Sequence, residues 1–91
     1  MAKVKIVIAD DDEFMRDGLL QTLSGRGHKL AAYPDGEGAL AAISDGSASL
    51  LITDLRMPGL NGLELLERAR RLDPKLPVVM MTAFATVDTA V

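Results

Sequence analysis

KVKIVIADDDEF, residues 3–14, runs from a short apolar segment straight into four acids, Asp10, Asp11, Asp12 and Glu13. The apolar part, VKIVIA, is β-branched and nearly continuous, the pattern of a strand buried on both faces. From Asp12 the period changes. Met15, Leu19 and Leu23 recur at four-residue steps among Arg16, Asp17 and Gln21, so a helix follows, which Gly25 or Gly27 can end. A strand that stops on carboxylates needs a reason, because like charges this close repel.

The same alternation continues outward. HKLAAY (28–33) reads as a second strand, and Pro34-Asp35-Gly36 as a turn in which Asp35 caps the next helix. Ala39, Leu40, Ala42 and Ile43 give that helix its apolar face, and Ser44-Asp45-Gly46 stops it. SLLIT (49–53) is a third buried strand, ending at Asp54. After the loop RMPGLNG, Asn61 and Glu64 form a capping-box pattern, so a helix starts near Gly62. Its wet side pairs Glu64 with Arg68 and Glu67 with Arg71, and Asp73-Pro74 ends it. Pro77 opens a fourth strand, VVMMT (78–82), and TVDTAV (86–91) begins another helix.

Strand–helix alternation at this spacing predicts an α/β fold, a parallel sheet with right-handed crossovers and helices on both faces. In such a sheet, ligands bind beyond the carboxyl ends of the strands, where the strand order reverses. Strand one ends in Asp10-Asp11-Asp12, strand three in Asp54 and strand four in Thr82-Ala83, whereas strand two ends uncharged in Tyr33-Pro34. The order 2-1-3-4 makes the three polar ends neighbours. Carboxylates from two adjacent strand ends form a cage for a hard divalent cation such as Mg²⁺. A simpler reading makes the acids a helix cap. It accounts for Asp12 and Glu13, but poorly for Asp10 and not at all for Asp54. His28 reads as a surface residue and the Met80-Met81 pair as core.

The bulk properties narrow the function. The chain has 91 residues, one domain at most. Its net charge is −3 with no basic tract, which argues against direct nucleic-acid binding. It has no cysteine, so disulfides and thiolate metal sites are excluded. The apolar run Ile6–Ala9 is too short for a membrane span or a signal-peptide core, and a cytoplasmic protein is the default. A flavin-binding fold of similar topology would need a Ser/Thr/Gly-rich phosphate loop where this chain has DDDE. A metal-dependent phosphatase would want its acids spaced D-x-D at one strand end, and DDD followed by Glu-Phe-Met does not supply that second-acid chemistry.

These residues resemble the receiver domain of bacterial two-component response regulators, a flavodoxin-like three-layer sandwich. IVIADDDEFMR (6–16) is similar to the family's first-strand acidic motif, LLITDLRMPGLNGLELL (50–66) to its phosphorylation-site motif, and PVVMMTAF (77–84) to its switch-threonine strand. TAFATVDTAV (82–91) further resembles activators that work with the alternative sigma factor. The resemblance implies a phosphorylation-dependent switch, not an enzyme in its own right. Asp54 is then the phosphoacceptor and a sensor histidine kinase the donor. Mg²⁺ is bound by Asp11, Asp54 and the backbone carbonyl of Arg56, with Asp10 acting through water. Thr82 contacts the phosphoryl group and reports it to the fourth helix, and Ala83 leaves it room.

The family also places a lysine at the end of a fifth strand. The expectation here is a receiver domain over residues 1–91 without that strand, the last helix and most of the fourth helix, and with an output domain beyond Val91. Lys3, Lys5, Lys29 and Lys75 all precede or start strands, on the opposite edge of the sheet, so none is a substitute. The competing reading is a phosphorylation-independent interaction module of the same fold. Strand four, left at the edge, is expected to mediate self-association.

Overall fold

Residues 4–81 are described by a computed structural model of the chain. The β-branched run at the start forms β1 (Lys5–Ala9), whose last four residues are all buried. Three further strands pair with it, directly or through a neighbour: β2 (Lys29–Tyr33), β3 (Leu50–Asp54) and β4 (Val78–Met81). Every pairing is parallel and the order is β2-β1-β3-β4, as the alternation and the strand ends predict. Ile8 stands between Ala32 on β2 and Ile52 on β3, and Ile52 in turn faces Val79 on β4.

The two-residue period of a strand divides the core in two. Val7, Ala9 and Leu51 meet Ala39 and Ile43 of α2 (Gly36–Ile43) and Leu65 and Ala69 of α3 (Gly62–Leu72). Ile6, Ile8 and Ile52 face the other way, onto Leu19, Leu20 and Leu23 of α1 (Glu13–Leu23). The result is a three-layer flavodoxin-like sandwich. Two helices cover one face and only α1 covers the other among the described residues, and no residue of α1 is fully buried.

The helix ends are set by the residues the sequence marks. Asp12 caps α1 by accepting from the N–H of Phe14 at 2.9 Å and of Met15 at 3.4 Å. Asp35 caps α2 through the N–H of Gly38 at 2.7 Å. Asn61 and Glu64 close a complete capping box on α3, with bonds of 2.9 and 3.1 Å. Gly25, just past the Ser24 cap of α1, adopts φ 77°, the left-handed stop that a side chain resists.

Two details differ from the sequence reading. Pro77 lies just before β4 rather than within it, yet its carbonyl accepts from Leu51 N–H at 3.0 Å, so the ladder begins there without needing a proline donor. The inward stripe of α1 also departs from that reading at its first position. Met15 is 42% exposed, and the partly buried positions are Arg16, Leu19, Leu20 and Leu23. Leu19 and Leu23 pack inward as their spacing predicts, but Arg16 rather than Met15 takes the first position of the stripe, one residue or about 100° round the helix, at the end nearest the strand termini.

Candidate functional site

The carboxyl ends of β1 and β3 lie side by side, because these strands pair in parallel from Ile6↔Leu50 to Ala9↔Thr53. Asp10 and Asp54 each follow the last of these pairs, and so emerge at the same edge. One carboxylate oxygen from each of Asp10, Asp11 and Asp54 can lie within 4.8 Å of the others. The convergence expected from strand order is therefore present.

The three acids differ in setting. Asp10 is 2% exposed. Its N–H donates to Tyr33 O at 3.0 Å, extending the β1–β2 ladder, and its Oδ1 accepts from Asp12 N–H at 2.9 Å. Asp54 is 9% exposed, at the end of β3. Asp11 is exposed, and among the described residues nothing holds its carboxylate by a hydrogen bond. Burial raises the Asp10 carboxyl above the ordinary aspartate value; the Asp12 N–H opposes this, and the charges of Asp54, Asp11 and Asp12 add to the rise. A cation would relieve that repulsion. An all-oxygen donor set with one exposed and two recessed carboxylates fits a hard divalent ion that keeps some of its water.

The floor beneath Asp54 is built by Gly62. Its N–H donates to Leu55 O at 3.0 Å, and a β-carbon there would run into Asp54 O, with Leu55 Cα and Met80 Sδ each at 2.9 Å. The backbone after the strand thus turns back on the first turn of α3 at a distance only glycine allows. Leu55 N–H in turn donates to Met81 O at 2.8 Å, tying the Asp54 segment to β4.

One residue of the site escaped the sequence reading. Arg16 Nη1 donates to Asp10 O at 2.8 Å. Its only sequence signal was a cation one turn into a helix that begins at the acids. Of the other expected site residues, Arg56 is exposed in the loop after β3, and Thr82 and Ala83 lie outside the described residues, as does the start of the fourth helix. Lys5 sits at the opposite edge of the sheet, bonded to Ser47 Oγ at 2.8 Å and Ala42 O at 3.4 Å; Lys29 opens β2 and Lys75 precedes β4. His28 is exposed before β2. No helix among the described residues is long and apolar enough to cross a membrane.

Comparison with known proteins gives a consistent result. Residues 6–91 match the family described as the response regulator receiver domain. The chain is 40% identical over 87 residues to response regulator protein FleR of Pseudomonas aeruginosa, covering 96% of this chain and 18% of that protein. It is 36% identical over 83 residues to response regulator receiver protein CpdR of Brucella abortus, covering 91% of this chain and 69% of that one. Among solved structures, NtrX from Brucella abortus superposes with a TM-score of 0.85 at 35% identity, over 98% of this chain and 21% of NtrX. Chemotaxis protein CheY4 of Vibrio cholerae gives 0.86 at 25% identity, over 98% of this chain and 76% of CheY4. The chain thus spans less than a fifth of the length of FleR, and likewise of the DNA-binding transcriptional regulator NtrC of Salmonella typhimurium, to which it is 38% identical.

Proposed function

The chain belongs to the response regulator receiver domain family, modules of phosphorylation-based signalling, and on that premise we propose that Asp54 is its phosphoacceptor. The observation that carries this reading is the meeting of Asp10, Asp11 and Asp54 at the carboxyl edge of β1 and β3. The donor is a phosphohistidine on a sensor histidine kinase. A carboxylate oxygen of Asp54 attacks phosphorus, the new O–P bond forms as the P–N bond breaks, and the electron pair leaves on the imidazole nitrogen, which takes a proton.

Asp11 and Asp54, with the Arg56 carbonyl, would hold Mg²⁺, and Asp10 would act on it through water. When bound, the ion supplies positive charge against the phosphoryl oxygens. The chain's own part is to orient the nucleophile. Asp54 is recessed at the end of a buried strand and backed by Gly62, so its carboxylate is presented from a rigid element rather than a loop. Thr82 contacts the phosphoryl group and passes its presence to the fourth helix, and Ala83 leaves room for it.

The chain itself catalyses at most its own slow phosphorylation and dephosphorylation. It acts in the cytoplasm on an output domain beyond Val91, and the named regulators among its relatives make transcription the favoured output.

Intact-mass measurement after incubation with acetyl phosphate and Mg²⁺ tests the assignment. One phosphoryl group is expected on the wild type and none on Asp54→Asn. Equal labelling of the two removes Asp54 from the role. No labelling of either supports the phosphorylation-independent interaction module instead.

A further inference from the structure

Arg16 is the one cation bonded to the acid cluster among the described residues, and it does not bond a carboxylate. Its Nη1 donates to the backbone carbonyl of Asp10 at 2.8 Å. That carbonyl belongs to the peptide unit whose other half is the N–H of Asp11. A peptide unit is planar, so fixing its oxygen fixes the plane from which the Asp11 backbone departs.

The neighbouring groups leave Arg16 a specific task. Asp10 is held at its N–H by Tyr33 O at 3.0 Å and at its carboxylate by Asp12 N–H at 2.9 Å. Asp11 is exposed, and its carboxylate has no such restraint among the described residues. With its rotamers free, the positions its carboxylate can reach are limited by the backbone from which it departs. Arg16 is half-buried on α1, whose first turn is itself anchored by the Asp12 cap. The guanidinium therefore spans from a fixed helix to the strand end.

We propose that Arg16 is a positioning residue: by clamping the Asp10–Asp11 peptide to α1, it aims the Asp11 carboxylate at the Mg²⁺ position. The proposal rests on the Mg²⁺ site assigned above. It carries an unusual sign. A cation beside a metal site repels the metal, so deleting it should tighten binding if charge alone were at work. If positioning dominates, deleting it weakens binding.

Calorimetric Mg²⁺ titration of the full chain decides between these. Arg16→Ala is expected to raise the dissociation constant about ten-fold, the lower end of the usual loss when a ligand-orienting partner is removed. Arg16→Lys keeps a donor and is expected to recover part of the loss. Arg26→Ala, an equal change of net charge in the turn that follows α1, is expected to bind at least as tightly as the wild type. Thermal unfolding in chelator reports whether each variant is folded before metal is added. Tighter or unchanged binding by folded Arg16→Ala overturns the proposal while leaving the site in place. If Arg16→Ala does not fold, Arg16→Met, which keeps the apolar stem and lacks the donor, takes its place, and wild-type affinity in folded Arg16→Met overturns the clamp. Absence of Mg²⁺ binding by the wild type overturns the site reading, and the clamp with it.

Discussion

Asp10 is the side chain on which the cost of the site is concentrated. It is buried, its carboxyl is pushed above the ordinary value of 3.8, and burial is the largest cause. The folded chain therefore holds this proton more tightly than the unfolded chain does. Its contribution to stability is complete below 3.8 and is lost as pH rises through the folded value. Asp10→Asn, neutral at every pH and still able to accept from Asp12 N–H, should unfold at a higher temperature than the wild type near pH 7 in metal-free buffer. The two should converge as pH falls below 3.8. Mg²⁺ should then stabilise the wild type more than the variant. A metal-free Asp10→Asn that is less stable at pH 7 would mean the charge is not a burden. The acids themselves were legible in sequence, because strand ends, strand order and carboxylates are all one-dimensional signals. Arg16 was not. Reading α1 by its apolar residues alone hid a cation whose partner is a backbone carbonyl, which no side-chain pattern records.

The helix starts of α1, α2 and α3 were legible, since the residues that satisfy their free N–H groups lie within three positions of them. The inward positions Leu19 and Leu23 of α1 were legible too, but the first was not, because Met15 and Arg16 are neighbours and only tertiary packing turns Arg16 inward. The tight join between β3 and α3 also left little trace beyond the letter G at position 62. It leads to a sharp expectation. Gly62→Ala drives a methyl into Asp54 O and against Leu55 and Met80. Overpacking of this kind costs about 1–3 kcal/mol, so urea denaturation should show a loss in that range. Because the strained atom is the carbonyl of Asp54, phosphorylation should fall as well. A variant as stable as the wild type would mean the loop moves away freely and does not hold Asp54 in place.

Among the described residues the sheet is covered unevenly: the α2–α3 face holds the larger buried cluster, whereas the α1 face buries Ile6, Ile8 and Ile52. β4 is the sheet edge among the described residues, and Val79, on the thinner face, is 48% exposed. Val78 and Met80 are half-buried, with Met80 Sδ near Gly62, and the most open position of β4 is Val79, because alternation turns it away from α3. An apolar, uncharged edge pairs readily with another. The isolated 91-residue chain is expected to self-associate through β4, and Val79→Lys to shift it toward monomer in a light-scattering dilution series; a wild type monomeric at every concentration would remove this role from β4. The phosphoacceptor assignment stands on the edge where β1 and β3 end. Its most direct test is to phosphorylate the chain with acetyl phosphate, reduce the aspartyl phosphate with borohydride, and map the resulting homoserine by peptide sequencing in the mass spectrometer. Homoserine at position 54 alone, formed with Mg²⁺ and not in chelator, is the predicted result; homoserine at Asp10 or Asp11, or a yield indifferent to Mg²⁺, would contradict it.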